Sequence, residues 1–326
     1  MDYQQSRAYI RDAEQYAGGA LDLTNIKEIM KRLGNPQDQL KYVHVAGTNG
    51  KGSVIAYLYT TLTNAGYHVG RYISPSVYSY REKIEVEGTP ISREQFAKHT
   101  TRVAAVIEEM TAEGLAHPTP FEIETAVAFL FFAEEKCDLV ILEVGMGGDL
   151  DATNIIKNTV LAVLVPISMD HQAFLGNTLA EITQKKAGII KPGCSVVTVG
   201  QRPETMEVIR EVCREKGADL TETDLSSAKA VKEDFAGQTL EYRGETYELS
   251  LAGSYQTENA ALALDALEVL NHKGYPTTVE QRKKGLRETK WNGRLTIIHR
   301  DPLFIVDGAH NPAAADMLED SVRKYF

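Results

Sequence analysis

Residues 43–53, Val43-His44-Val45-Ala46-Gly47-Thr48-Asn49-Gly50-Lys51-Gly52-Ser53, run an apolar strand into a glycine-rich turn that holds one lysine and opens a helix. Such a turn aims backbone N–H groups and a helix N-terminus at an anion, and Lys51 adds a mobile positive charge. The spacing departs from GxxxxGK[ST], because Val45 stands at the first glycine's position and Gly52 separates Lys51 from Ser53. A plain tight strand-to-helix turn is the alternative. Three glycines, a lysine and a serine at one junction favour phosphate binding.

A second cluster, Leu142-Glu143-Val144-Gly145-Met146-Gly147-Gly148-Asp149-Leu150-Asp151-Ala152-Thr153-Asn154, lies at the carboxyl end of another apolar strand, where open α/β sheets place ligands. Glu143 there needs a partner such as a metal or an arginine. A Mg²⁺ ligand and a capping carboxylate beside the glycine turn both fit. A third cluster, Ser168-Met169-Asp170-His171, follows the next strand and precedes Gly176, Thr178 and a helix with Lys185 and Lys186. Asp-His alone reads as a loop, and its coincidence with two other strand-end polar clusters favours function. Lys185 and Lys186, taken alone, read as a solvated helix face.

The elements that must position these residues follow from periodicity. Short apolar runs predict strands over 42–46, 68–73, 139–144, 159–165 and 195–200; longer patterns predict helices over 52–65, 93–113, 121–136, 179–189 and 204–216. This alternation is the signature of a parallel sheet with crossover helices, and strands apolar on both faces suit its buried interior. After Gly217 the pattern shifts to a small antiparallel hairpin around Arg243-Gly244, with strands over 239–242 and 246–251. Helices over 257–270 and 279–289, strands over 294–300 and 303–306 and a helix over 312–325 complete the reading.

Length and composition bound the function. The 326 residues suggest two domains, the second abbreviated. A net charge of −10 with no long basic run argues against nucleic acid as a partner. A hydrophobic fraction of 43% and a mean hydropathy of −0.26 suit a globular enzyme. No apolar stretch reaches the ~20 residues that cross a bilayer. The N-terminus lacks the apolar core of a secretory signal, which predicts a cytoplasmic protein. Cys137, Cys194 and Cys213 lack metal-ligand spacing and read as buried thiols.

Together the clusters resemble the folylpolyglutamate synthase/dihydrofolate synthase family of the Mur ligase superfamily, from about Leu21 to the last residues. The resemblance is carried by GTNGKGS at Gly47–Ser53, Ser74-Pro75 followed by Glu82-Lys83-Ile84, TPFE at Thr119–Glu122, LDATN at Leu150–Asn154, Asp170-His171, KAGIIKPG at Lys186–Gly193, WNGR at Trp291–Arg294 and DGAHNP at Asp307–Pro312. It implies an α/β fold: a P-loop domain over 1–293, with a mainly parallel sheet flanked by helices plus the small antiparallel hairpin, then the start of a Rossmann-like glutamate-ligase domain over 294–326. Family members complete that second domain, so the resemblance implies a truncated one here, with Asp307 and His310 poorly supported.

The implied activity is ATP-dependent amide formation between a folate or dihydropteroate carboxylate and L-glutamate through an acyl phosphate, by a protein that acts as a monomer. The positions of Asn49, Gly50, Lys51, Gly52 and Ser53 would hold the ATP phosphates, with Asn259, Arg294, Asp307 and His310 also contacting ATP. Ser74, Glu143 and His171 would hold Mg²⁺; Phe121, Asp151 and Ala152 would meet the pterin. Lys51, His171 and Lys186 are the catalytic candidates. Lys186 is implied to be carbamylated, which converts a cation into an anion able to support a metal and replaces the solvated-face reading.

Departures from the family pattern fall mainly near the substrate. Ser76 stands where SPHL has its histidine, Asp149 where GGRLDATN has its arginine, Tyr255 where GxHQ has its histidine, and Asn292 where WPGR has its proline. A cell-wall precursor ligase would need a uridine-nucleotide-binding domain, yet only about forty residues precede Tyr42. A Mur-ligase-like nucleotide-binding protein with lost or altered ligase activity is the rival of another class, suggested by Ser76, Asp149 and the early end of the chain. Glutamate-dependent ADP release discriminates the two.

Overall fold

The computed structural model describes residues 1–17, 22–235 and 237–325. Leu21 and Phe326, the ends of the family resemblance, lie outside the described residues. In chain order the first elements are α1 (Tyr3–Asp12), α2 (Thr24–Arg32), β1 (Tyr42–Ala46), α3 (Lys51–Asn64), β2 (Val69–Tyr72), β3 (Ile84–Val86), β4 (Thr89–Pro90), α4 (Arg93–Ala112), α5 (Pro120–Glu135), β5 (Leu139–Glu143), β6 (Thr159–Leu164) and α6 (Gln172–Leu175). There follow α7 (Leu179–Ala187), β7 (Ser195–Val199), α8 (Pro203–Lys216), β8 (Asp219–Thr223), β9 (Lys229–Asp234), β10 (Gly237–Tyr242), β11 (Glu245–Leu249), α9 (Gln256–Asn271), α10 (Val279–Glu288), β12 (Thr296–Arg300), β13 (Leu303–Val306) and α11 (Pro312–Tyr325). The fold is α/β, with a large mainly parallel sheet flanked by helices and small antiparallel sheets.

The chain forms two compact units, Met1–Val43 with His68–Thr159, and His44–Tyr67 with Val160–Phe326. In the first, the strands run β4-β3-β2-β5, with β2 parallel to β5 and antiparallel to β3. Helices α1, α2, α4 and α5 pack around a core of Ile26, Ile29, Tyr42, Tyr72, Phe96, Phe129 and Phe132. Helix α5 starts in a capping box: Thr119 and Glu122 satisfy each other's backbone N–H groups, with Pro120 in the first turn. Motif TPFE is therefore also a helix-start signal.

In the second unit β6, β7 and β8 are parallel neighbours, and Val165 donates its N–H to the Ala46 carbonyl at 2.9 Å, which aligns the ends of β1 and β6. Helices α9 and α10 both pack on α3. The parallel series continues past Gly217 into β8, and the expected two-stranded hairpin is a three-stranded antiparallel sheet, β11-β10-β9. Both differences have one cause: β8 and β9 are edge strands that keep polar, largely exposed side chains, so they lack the apolar signal of a central strand. The three cysteines are free and buried, as expected.

Candidate active site

The strand β1 ends at a turn whose geometry needs glycine. Gly47 has φ 140°, and a Cβ there would stand 2.2 Å from Val165 Cγ2; Gly50 has φ 101°, with Asn259 Oδ1 2.6 Å from its Cβ position. Thr48 fastens the turn to the end of β6, donating its hydroxyl to the Ser168 carbonyl at 3.2 Å and accepting the Ser168 N–H at 3.0 Å. Lys51 Nζ folds back on the carbonyls of Gly47 and Thr48, each at 3.3 Å. Lys186 also reaches the Gly47 carbonyl, at 3.0 Å, from α7. It is 4% exposed, so the solvated-face reading of this lysine is wrong: α7 turns it inward. Two ammonium groups thus gather at the N-terminus of α3, an arrangement suited to phosphate.

Residues distant in the chain close around this turn within the same unit. Asn49 and Asn311 exchange amide hydrogen bonds, 3.1 Å in each direction, and Asn311 Oδ1 also accepts the Ala314 N–H at the start of α11. The Trp291 indole lies on Gly52, with Cζ2 2.3 Å from the Cβ position of that glycine. Asp307 accepts the N–H groups of Leu295 and Ala309 at 2.9 and 2.8 Å and the Tyr255 hydroxyl at 3.4 Å. That network supports Asp307 well, contrary to the expectation from so small a final segment. Burial and the Asp307 charge push the Tyr255 phenol up, so it is a stable donor. Arg294 donates to the Gly293 carbonyl at 2.8 Å, and His310 is exposed with Nδ1 2.8 Å from the Gly308 carbonyl. His171 sits in the left-handed region (φ 47°), half exposed beside Asp170.

The first unit holds the remaining candidates. Glu143 is 7% exposed at the end of β5, and its Oε2 accepts the Ser74 N–H at 3.2 Å. Phe121 stacks on Tyr72, ring centroids 5.9 Å apart, and its ring fills the space that a side chain at Gly145 would take. Asp151 is buried in its own turn: Oδ2 accepts the Met146 N–H at 2.9 Å, and Oδ1 accepts the Thr153 N–H at 3.0 Å together with the Thr153 hydroxyl. Burial raises its pKa above the ordinary carboxylate range, against the pull of these donors. Ala152 is buried beside it. Asp149 is half-buried and accepts the Leu150 N–H at 2.9 Å.

Comparison with known proteins decides the family. The Mur ligase middle domain matches residues 45–267. The dihydrofolate synthase/folylpolyglutamate synthase of Bacillus subtilis (strain 168) is 37% identical, over 99% of this chain and 77% of that protein. The chain belongs to the folylpolyglutamate synthase/dihydrofolate synthase family of Mur ligases. Within that family it is also similar to the folylpolyglutamate synthase of Lacticaseibacillus casei, 33% identical over 100% of this chain and 78% of that protein. Among solved structures, an FPGS-AMPPCP-folate complex aligns with a TM-score of 0.90 at 33% identity, covering all of this chain and 81% of the other. The folylpolyglutamate synthase of Thermotoga maritima aligns with a TM-score of 0.87 at 34% identity, covering 99% of this chain and 75% of the other.

For a synthase of this family, the candidates divide between the units. Asn49, Gly50, Lys51, Gly52, Ser53, His171, Lys186, Asn259, Arg294, Asp307 and His310 belong to the second, and Ser74, Phe121, Glu143, Asp151 and Ala152 to the first. The sequence named Gln256, Trp291 and Asn311 only as motif letters. Their contacts with the phosphate turn depend on packing between segments some 200 residues apart or more, which no local spacing encodes.

Proposed function

We propose that this synthase-family protein is an ATP-dependent carboxylate–amine ligase that joins L-glutamate to a folate or dihydropteroate through an acyl phosphate. The observation that carries the reading is the turn at Gly47–Ser53, where Lys51, Lys186 and the start of α3 converge. Residues 1–293 form its ATP-binding domain and 294–326 begin its glutamate-ligase domain; it works as a monomer in the cytosol. No helix among the described residues is long and apolar enough to cross a membrane.

Attack of the substrate carboxylate on the γ-phosphorus loads charge onto phosphoryl oxygens. Backbone N–H groups of the turn and the Lys51 ammonium receive that charge, with Asn49, Gly50, Gly52 and Ser53 shaping the cradle. Lys51 exchanges its carbonyl acceptors for phosphate oxygens, and Lys186 keeps the Gly47 carbonyl turned away from the anion. Asn259, Arg294, Asp307 and His310 bound the nucleotide, while Phe121, Asp151 and Ala152 bound the pterin. The glutamate amine then displaces phosphate through a tetrahedral intermediate.

The residues present fit Mg²⁺. Glu143 at the end of β5 accepts the Ser74 N–H just past the neighbouring β2, which brings a carboxylate and a serine to adjacent strand ends, and Mg²⁺ binds through one or two carboxylates with waters and substrate phosphates. Among the described residues no group of three or more His, Cys, Asp or Glu side chains stands together to hold a metal; His171 is the third ligand that the family resemblance implies. When bound, the ion neutralises charge on the transferring phosphate. Carbamylation of Lys186 would turn its ammonium donor into an anion able to support that ion.

Hydroxylamine tests the intermediate. With ATP, Mg²⁺ and dihydropteroate or tetrahydrofolate but no glutamate, the protein is expected to yield the substrate hydroxamate and ADP; ATP consumption without a hydroxamate would contradict the acyl phosphate.

A further inference from the structure

Gln256 opens α9 fully buried, and its side-chain amide links two parts of the nucleotide site. Nε2 donates to Ser53 Oγ at 3.1 Å, and Oε1 accepts from Asn259 Nδ2 at 3.1 Å. Ser53 and Asn259 are 2% and 6% exposed, so water is poorly placed to replace either bond. An amide donates only from its nitrogen and accepts only at its oxygen. With Asn259 donating to Oε1, the donor end of Gln256 faces Ser53. The Ser53 oxygen therefore accepts a proton from the α9 side, and its own O–H is left for another acceptor.

We propose that Gln256 is a positioning residue for the nucleotide: it fixes the polarity of the Ser53 hydroxyl so that the O–H is presented to a phosphate oxygen. The inference rests on the phosphate-binding reading of Gly47–Ser53 and adds to it a residue that touches no phosphate. It also gives Asn259 a second task. Its amide N–H sets the orientation of Gln256, while its Oδ1 packs over Gly50.

The test is a double-mutant cycle read as the affinity for AMPPCP by titration calorimetry, on the whole chain. Gln256→Met keeps the length of the side chain and removes the bond. Gln256→Glu keeps its shape and reverses its polarity, because an ionised carboxylate only accepts and draws the Ser53 O–H back toward α9. Gln256→Met is expected to weaken AMPPCP binding roughly tenfold, and Gln256→Glu by more. In a Ser53→Ala background each is expected to change affinity by less than about twofold, because the group they act through is gone. Losses that persist undiminished in Ser53→Ala, or no loss in the parent, would overturn the role of Gln256. If Gln256→Met does not fold, the Gln256→Glu cycle decides by the same criteria. A parent chain that fails to bind AMPPCP would overturn the phosphate-binding reading as well, which separates the two failures.

Discussion

Lys51 and Lys186 share the Gly47 carbonyl, yet they differ in what they are free to do. Lys51 is half-buried on the first turn of α3 and can swing from its two carbonyls to a phosphate; Lys186 is buried on α7 and holds the turn. Lys51→Ala should therefore abolish turnover and weaken ATP binding, whereas near-normal kinetics would remove Lys51 from the site. Glu143→Gln keeps an acceptor for the Ser74 N–H but loses the charge, so melting should be unchanged while Mg²⁺-dependent turnover is lost. Activity close to that of the parent would dismiss Glu143 as a ligand. The glycine–lysine turn and Glu143 were legible because backbone conformation and a carboxylate on an apolar strand both demand explanation. The inward aim of Lys186 was not, because helical periodicity does not say which neighbour a lysine meets.

At the scale of elements, glycine marks where segments approach closely. Gly285 in α10 faces α3 so tightly that a Cβ would stand 2.1 Å from Thr61 Oγ1 and 2.7 Å from the Thr61 backbone. Gly285→Ala gains helix propensity of about 1 kcal/mol but must separate two packed helices, which costs about 1–3 kcal/mol. A lower melting temperature with the KM for ATP unchanged is expected; an equal or higher one would contradict this packing. Gly52→Ala instead meets Trp291 within the nucleotide turn, and should weaken AMPPCP binding at least tenfold, measured by calorimetry. Buried strands such as Tyr42–Ala46 and long, largely buried helices such as α5 were readable from sequence. Helices α1 and α2, the short strands β3 and β4, and the polar edge strands β8 and β9 were not, because each is defined by what it packs against or pairs with.

For the whole molecule, two fully buried histidines make stability depend on acid. Burial lowers the His44 pKa to about 3 and the His99 pKa to about 4, against 6.5 when exposed. Both are neutral in the folded chain, so the unfolded chain binds protons first as pH falls. Their contribution is fully present above about pH 6.5 and is lost below it, at roughly 1.4 kcal/mol per pH unit for His44. The melting temperature should fall between pH 7 and pH 5, and a flat profile would contradict the burial of these rings. Function rests on the molecule coupling ATP cleavage to an amide bond. With no other amine nucleophile present, sustained ADP release should require dihydropteroate or tetrahydrofolate, Mg²⁺ and L-glutamate together, with one glutamate joined per ATP consumed; ATP binding without glutamate-dependent turnover would contradict the account.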